Sequence, residues 1–341
     1  MIDPTAIHAK ATDQFASMRA TILEFVNSLP ASVAPTRGDL ILGFATGYKP
    51  HIIAPFVESV RMHGRFDGKI VLFIDPARKM ADYLKAYGIE TIVFNPSKSP
   101  ALHVFLARFF AYFEFLREQW HSGAVFNQIL LTDVRDVIFQ KPLFETSCEE
   151  LEFHLEAHTI DEDKFSRRGL EIMCGEEAFR ALTSYTVSCS GTVSGRAIGI
   201  FDYLAQIQLL ALGLSDACLS AWGVDQALHN YILYTGRTRA AVSKPNFARV
   251  ATLGALEGST LSCDAKGRVI NPNGQISEIA HQWDRHRHLT KAICATYLRN
   301  RQYGRWRFWM GRLIPRLMLI TSLGTKLRSE LRFELKRITR V

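Results

Sequence analysis

Short apolar runs that alternate with helical segments constrain the fold of this chain more than any other feature. In the first half, apolar runs at residues 40–44, 70–74 and 91–94 predict strands, and residues 53–63 and 79–87 predict helices between them. Strands that alternate with helices are typical of a mostly parallel sheet covered by helices. We therefore predict an α/β fold with a mostly parallel central sheet flanked by helices.

The rest of the chain continues this alternation less regularly. The pattern predicts further strands at 126–131, 153–157, 185–188 and 240–242, and further helices at 5–29, 102–116, 197–212 and 224–234. No tandem repeat or low-complexity linker interrupts it before residue 295. We divide the chain into an N-terminal helical segment (1–37), one α/β domain (38–290) and a basic amphipathic tail (291–341).

The net charge of +8 is distributed unevenly along the 341 residues. Residues 301–341 contain eleven Lys or Arg and two Glu, a net charge of +9, which leaves −1 for residues 1–300. Tyr303, Trp306 and Leu313 fall on one helical side of this segment, and arginines fall on another. This pattern predicts binding to an anionic membrane surface. A helix packed back on the domain is the alternative, and the nearly neutral remainder argues against nucleic acid as a partner.

The cysteines and the N-terminal residues indicate the cellular compartment in which we expect the protein. Six cysteines occur without a CxxC pair or a paired spacing, so we expect reduced, mostly buried thiols. Residues 1–30 lack a basic stretch followed by a long apolar one, so we expect no signal peptide. We therefore predict a cytoplasmic protein, peripheral on the cytoplasmic face of the membrane.

The densest acidic signal follows the mainly apolar strand predicted at 126–131. Residues 126–131 are mainly apolar, and Asp133, Arg135 and Asp136 come directly after them. Ligands of open α/β sheets bind at the carboxyl ends of strands, and two carboxylates at such a place are suited to share a hard divalent cation. The residues alone leave a second interpretation open, which is an Asp–Arg turn network that only caps the strand.

Five segments in order resemble GT-A-fold nucleotide-sugar glycosyltransferases. They are the opening strand, turn and helix GFATGYKPHIIAPFVESVRMHGRFDGKIVLF, the DxD-type segment ILLTDVRDVIFQKPLF, the glycine segment SCSGTVSG, the helix GVDQALHNYIL and the histidine segment HQWDRH. The resemblance spans residues 43–286. It implies a GT-A-like catalytic domain that binds a nucleotide sugar together with Mn²⁺ or Mg²⁺.

The resemblance also implies roles for individual side chains. Asp133 is expected near the ribose and the metal, Asp136 or Arg135 at the metal or the diphosphate, and His281 as the late metal ligand. The family's second acid lies two positions after the first, where this chain has Arg135. Either Asp136 takes over that role through a shifted turn, or the Arg135 guanidinium supplies part of the metal's positive charge.

Further side chains are candidate donor and acceptor contacts. Asp225 and Arg135 are the candidate catalytic residues, the first as the acceptor-side carboxylate. Gly191 and Gly195 predict a tight turn. The candidate nucleotide-sugar contacts are Ala45, Thr46, Gly47, Tyr48, Arg108, Asp133, Ser190, Gly191, Thr192 and Gln226. Plainer interpretations stay open for them: a strand-to-helix loop, a surface arginine, an ordinary turn and a helix N-terminal charge.

The function that the resemblance implies is transfer of a sugar from a nucleoside-diphosphate donor, a UDP-sugar, to a glycan or lipid-linked acceptor in surface polysaccharide synthesis. The departing nucleoside diphosphate builds negative charge that a cation or an arginine must neutralise. The sequence has no GxGxxG after a strand and no Walker A motif, which argues against dinucleotide oxidoreductases and P-loop enzymes. A nucleotidyltransferase and a non-catalytic scaffold for membrane or partner binding are the alternatives.

Overall fold

A computed structural model describes residues 13–94 and 104–297 of the chain. The helices are α1 (Asp13–Ser28), α2 (Pro50–Met62), α3 (Arg78–Lys85), α4 (Val104–His121), α5 (Lys164–Arg180), α6 (Ala197–Ala211), α7 (Asp216–Leu219), α8 (Val224–Tyr234) and α9 (Arg287–Tyr297). The strands are β1 (Leu40–Phe44), β2 (Lys69–Ile74), β3 (Glu90–Val93), β4 (Ile129–Thr132), β5 (Val137–Phe139), β6 (Leu151–Thr159), β7 (Thr186–Gly195), β8 (Ala241–Lys244), β9 (Val250–Thr252), β10 (Ser262–Cys263), β11 (Val269–Ile270) and β12 (Ile279–His281). The predicted membrane-binding tail lies outside the described residues from position 298 onward.

The main sheet has the strand order β3-β2-β1-β4-β7-β6-β8. Strands β3, β2, β1 and β4 pair in parallel, and so do β6 and β8. Strand β7 runs antiparallel to both of its neighbours, β4 and β6. The fold is therefore α/β with a mixed, seven-stranded central sheet flanked by helices, and β7 is its departure from the expected parallel arrangement.

The apolar strand sequences reflect burial on both faces of this sheet. Leu40 and Leu42 of β1 pack into one core with residues of α1, α4, α6 and α8, and Ile41 packs into the other core with residues of α2 and α3. Successive side chains of a strand point to opposite faces, so a strand covered on both faces is apolar throughout. Strands of this kind are the ones that the sequence predicts best.

The N-terminal helix α1 packs into the same core as the sheet. The ring of Phe25 meets Phe113 of α4 edge to face at a centroid distance of 5.6 Å and Phe201 of α6 at 5.0 Å. The described part of the predicted N-terminal segment is thus a covering layer of the sheet. In the part of the chain that the structure describes, no helix is both long and apolar enough to cross a membrane.

The predicted tight turn at Gly191 and Gly195 is wrong. Both glycines lie in β7, a single strand that ends at Gly195 and pairs with β4 and β6. A Cβ on Gly195 would lie 2.5 Å from the carbonyl oxygen of Glu150. The glycine is therefore needed for close approach of the neighbouring backbone and not for a change of chain direction.

A smaller sheet beside the main one carries the late histidine. Its strand order is β5-β12-β9, with β12 antiparallel to β5 and parallel to β9. Trp283, which is fully buried, packs behind it with Leu289 and Ile293 of α9. This register pairs His281 with Val137, the residue that follows Asp136.

Candidate functional site

The ends of several main-sheet strands open into a cavity of about 870 Å³. Along the sheet, the chain leads from β1 to β2 in one direction and from β4 to β6, beyond β7, in the other, so the strand order reverses between β1 and β4. Ligands of open α/β sheets bind at such a switch point, outside the carboxyl ends of the strands. The volume lies within the range of small-molecule sites. Topology and size together identify this cavity as the candidate site.

The β1 side of the cavity is formed by Thr46 and Tyr48. Gly47 between them has φ of +82°, and its N–H donates to Asp75 Oδ2 at 2.5 Å, which fixes the loop. Burial raises the pKa of the Tyr48 hydroxyl to about 12, so the ring stays neutral. Of the predicted contacts here, Ala45 is buried and, like Gly47, lies off the cavity wall.

The β4 side carries the predicted acidic pair. Val134 between the two aspartates is buried in the core of the sheet, and Asp133 and Asp136 both line the cavity. The Gln282 N–H donates to the Asp136 carbonyl at 2.9 Å, which joins this turn to the end of β12. The turn and the β5–β12 register therefore bring Asp133, Asp136 and His281 together.

These three side chains form a cluster of candidate metal ligands. One ligand atom from each of Asp133, Asp136 and His281 lies within 4.8 Å of the others. His281 Nε2 is 3.5 Å from Asp133 Oδ2 and 3.7 Å from Asp136 Oδ1. Two carboxylate oxygens and one imidazole nitrogen fit Mn²⁺ better than Mg²⁺, because the harder Mg²⁺ prefers an all-oxygen shell.

Each aspartate uses its second oxygen to bind an arginine. Arg108 Nη1 donates to Asp133 Oδ1, and Arg135 Nη2 donates to Asp136 Oδ2 at 2.8 Å. Burial opposes ionisation of both carboxyls, but these guanidinium groups outweigh it and hold the pKa of each aspartate below its usual value. Both carboxylates are therefore ionised and oriented, with one oxygen each directed at His281.

The imidazole of His281 is fixed from its other side. Its Nδ1 lies 3.4 Å from Cys189 Sγ, and burial raises the pKa of that thiol to about 11. Burial lowers the pKa of His281, but Cys189, Asp133 and Asp136 outweigh it and raise the pKa well above the usual value. The same negative charge that attracts a proton to Nε2 is what attracts a cation.

Arg108 connects the cluster to the opposite wall. It is buried, and its Nη2 donates to Asp225 Oδ2 at 3.0 Å and to the Ser190 carbonyl at 3.1 Å. Burial lowers the pKa of Arg108, but the negative charges of Asp133 and Asp225 outweigh this effect and raise the pKa above its usual value. Arg108 thus positions two cavity carboxylates, and Asp225, the predicted acceptor-side carboxylate, lies in the cavity wall as an ion-pair partner.

The predicted contacts from β7 and α8 divide into two groups. Ser190, Gly191 and Gln226 line the cavity, whereas Thr192 is buried opposite Thr132 of β4 and does not reach it. Thr192 was expected on a turn, and its position inside a strand is the reason for the difference. The Gln226 amide accepts from the Ser190 N–H and donates to the Ser188 carbonyl, both at 2.8 Å, so it fixes β7.

Several cavity residues were not predicted from the sequence. Glu156 lies near the end of β6, and Trp222 precedes α8 with 63% of its surface exposed. Arg285 also lines the cavity, with Nη2 3.8 Å from Asp136 Oδ2. The segment HQWDRH was the available signal for Arg285, whereas nothing local marks Glu156 or Trp222.

Comparisons with known proteins add no relative. No protein-family model matches the chain, and no curated protein is significantly similar to it.

Proposed function

We propose that this protein is a metal-dependent glycosyltransferase that moves a sugar from a nucleoside-diphosphate donor, a UDP-sugar, to a glycan or lipid-linked acceptor. The observation that carries the proposal is the convergence of Asp133, Asp136 and His281 at the switch point of the sheet. A cluster of this kind is suited to a cation that binds phosphate oxygens. The GT-A-like fold that the sequence resembles belongs to the same proposal.

The charge of the cavity supports a cation in the donor complex. Six carboxylates and three guanidinium groups are among the side chains that line it. Such a surplus of negative charge repels a diphosphate unless a divalent cation offsets it. When bound, Mn²⁺ at the Asp133–Asp136–His281 cluster supplies positive charge to the departing diphosphate.

The protein's own side chains complete this arrangement. Arg135 and Arg285 keep 34% and 40% of their side chains exposed, and both line the cavity beside Asp136. Their guanidinium groups are suited to hold diphosphate oxygens and to stabilise the charge of the leaving group. Tyr48, which lines the same cavity, offers an aromatic ring for a nucleobase.

The Asp136 geometry favours one of the two sequence interpretations of Arg135. Asp136 directs an oxygen at His281, which is the role expected of the family's second acid, and Arg135 binds the other oxygen. Arg135 therefore adds to a cation site and does not replace it. This supports an active enzyme over a non-catalytic scaffold.

Ligand-dependent thermal stabilisation tests the proposal. The full-length protein is heated with nucleoside diphosphates, nucleoside triphosphates or nucleotide sugars, each with and without Mn²⁺. We expect a uridine diphosphate to raise Tm only with Mn²⁺, since a ligand at a hundred times its Kd adds about 2.7 kcal/mol to stability. Asp136→Asn should abolish the shift, and Glu176→Gln, at an exposed position on α5, should retain it.

Product analysis separates the proposal from its alternatives. Slow release of UDP from a UDP-sugar, dependent on Mn²⁺ and lost in Asp136→Asn, supports a glycosyltransferase. Release of pyrophosphate from a nucleoside triphosphate would identify a nucleotidyltransferase instead. Absence of both binding and turnover with every nucleotide would leave the scaffold and refute the proposal.

Location at the cytoplasmic face of a membrane belongs to the same proposal. Residues 301–341 carry a net charge of +9 and an amphipathic pattern, which favours binding to anionic lipid. Sedimentation of the full-length chain with anionic vesicles, compared with a chain that ends at residue 297, measures this binding. Equal sedimentation of the two chains would contradict it.

A further inference from the structure

The two ends of the cavity lie on different strands. Strands β1, β4, β7 and β6 are neighbours in the sheet, so three strand spacings, about 14 Å, separate β1 from β6. Tyr48 follows β1, Glu156 and His158 lie near the end of β6, and all three line the same cavity. A donor bound at β1 and β4 therefore leaves the β6 end for a second molecule.

Acidic side chains dominate the β6 end. Glu156, Glu162 and Asp163 line it, and Glu162 accepts hydrogen bonds from the Thr159 N–H at 2.8 Å and the Thr159 hydroxyl at 3.1 Å. These bonds lower the pKa of Glu162, so its carboxylate is charged at neutral pH. Carboxylates accept hydrogen bonds from hydroxyl groups and repel other anions.

The opposite end carries the accessible positive charge of the cavity. Arg135 and Arg285 both lie within 4 Å of Asp136, at the carboxyl end of β4. The third lining arginine, Arg108, is buried between Asp133 and Asp225. The cavity is thus polarised, with guanidinium groups where a diphosphate would bind and carboxylates where the second molecule would bind.

An exposed indole lines the same cavity, next to Gly223, which packs against Gly169 of α5, the helix that begins directly after Asp163. Trp222 lines the cavity with 63% of its surface exposed. Its ring meets Phe105 of α4 edge to face at a centroid distance of 5.4 Å, which fixes its orientation. An aromatic side chain with most of its surface exposed in a polar cavity is suited to the C–H face of a sugar ring, which is apolar while the hydroxyl groups point outward.

We infer that the acceptor is a sugar without negative charge, whose ring packs on Trp222 while its hydroxyl groups face Glu156, Glu162 and Asp163. The inference rests on the proposed function and names its acceptor class. An acidic sugar or a phosphate at this position would meet the carboxylates of Glu162 and Asp163 and no accessible guanidinium group among the described lining residues. Burial raises the pKa of Glu156, which therefore contributes to this end as a hydrogen-bonding carboxyl group. The polarity of the cavity therefore selects against anionic acceptors.

Calorimetric titration of simple glycosides tests this assignment. Methyl glucoside, methyl galactoside and methyl glucuronide are titrated into the full-length protein loaded with UDP and Mn²⁺. We expect at least one neutral glycoside to bind and the glucuronide to bind at least about tenfold more weakly. Trp222→Ala should lower the affinity for the neutral glycoside about tenfold more than the affinity for UDP. Trp222→Phe should restore part of the glycoside affinity.

Tyr185→Ala is the matched control, because Tyr185 is 45% exposed and stacks on Tyr234 away from the cavity. It should leave glycoside affinity unchanged. Equal binding of the glucuronide, an unchanged affinity in Trp222→Ala, or no binding of any glycoside while UDP binds would overturn the inference. Glycoside binding at Trp222 in a protein that binds no nucleotide would instead retain the sugar site and refute the proposed transferase.

Discussion

The missing side chain at Gly191 allows the metal-ligand cluster to form. A Cβ at this position would lie 2.5 Å from His281 Cε1 and 2.7 Å from Asp133 Oδ2. Neither neighbour is free to move away, because Cys189 contacts the other side of the imidazole and Arg108 binds the second oxygen of Asp133. The glycine thus sets the separation of two candidate ligands.

Gly191→Ala is therefore expected to separate His281 from Asp133. We predict Mn²⁺ affinity at least about tenfold lower, in line with other changes that misplace ligands, and a free energy of unfolding lower by about 1–3 kcal/mol from overpacking. Electron paramagnetic resonance of free Mn²⁺ and urea unfolding measure the two effects. Gly38→Ala is the control, since a Cβ there meets nothing within 4 Å; wild-type Mn²⁺ affinity in Gly191→Ala would contradict the argument.

The sequence indicates the candidate metal ligands more readily than the ion pairs that orient them. Asp133, Asp136 and His281 belong to segments with recognisable residue types, so they are predictable as candidates. Arg108 binds Asp225 across 117 positions of sequence, and its spacing on a helix carries no sign of this contact. The metal-ligand set was therefore accessible from local patterns, whereas the ion-pair network that orients it was not.

At the scale of elements, β7 differs from the apolar strands β1 and β2 because its residues are mostly small and polar. Its sequence TVSCSGTVSG contains three small polar serines and two glycines, and glycine is depleted in strands. Its pairing with β6 is interrupted on both sides of Leu155. Helix α8 compensates: the Asn230 side chain accepts from the Ser188 N–H at 2.8 Å and donates to the Ser188 carbonyl at 3.0 Å.

Asn230→Ala is expected to destabilise the whole domain through β7. Asn230 is fully buried, and its loss leaves the Ser188 N–H without its Asn230 acceptor, at a cost of about 1–3 kcal/mol. Urea unfolding followed by circular dichroism measures this difference. Asn273→Ala, in an exposed turn, should change stability by less than about 0.5 kcal/mol, and equal effects of the two substitutions would show that α8 does not support β7.

The elements differ in how far the sequence predicts them. Strands β1 and β2 are apolar at nearly every position because both faces are covered, and their predicted bounds differ from the observed ones by at most one residue. Strand β7 is equally buried, but its small polar residues satisfy their hydrogen bonds through side chains of other elements. A pattern of hydrophobicity does not detect that kind of burial, so only residues 185–188 were predicted as a strand and the part at Gly191 and Gly195 was predicted as a turn.

For the whole molecule, the half of the sheet beyond β7 is held by buried neutral histidines. His229 contacts the hydroxyls of Ser188 at 2.9 Å and Tyr203 at 2.8 Å, and His154 contacts the Ser194 hydroxyl at 3.0 Å. Burial lowers the pKa of His154 from 6.5 to about 4 and that of His229 to about 3. Between about pH 4 and pH 6.5 both rings therefore stay neutral in the folded protein, whereas they would be charged in an unfolded chain.

This difference in protonation determines how the free energy of unfolding changes with pH. As pH falls from 6.5 towards 4, the unfolded chain binds protons at both histidines and the folded protein does not, so the free energy of unfolding falls. Each histidine contributes a slope approaching about 1.4 kcal/mol per pH unit. His281 has a raised folded pKa, so it adds a slope of the opposite sign near pH 6.5, which vanishes towards pH 5 as the unfolded histidine becomes protonated as well.

Urea unfolding of the metal-free protein at several pH values between 6.5 and 5 measures this slope, above the range in which unfolded carboxylates titrate. We expect His229→Gln to reduce the slope by up to about 1.4 kcal/mol per pH unit, whatever its effect on stability at pH 7, because His229 no longer takes up a proton on unfolding. His121→Gln, at the exposed C-terminal end of α4, serves as the control. An undiminished slope in His229→Gln would mean that this histidine is already charged in the folded sheet.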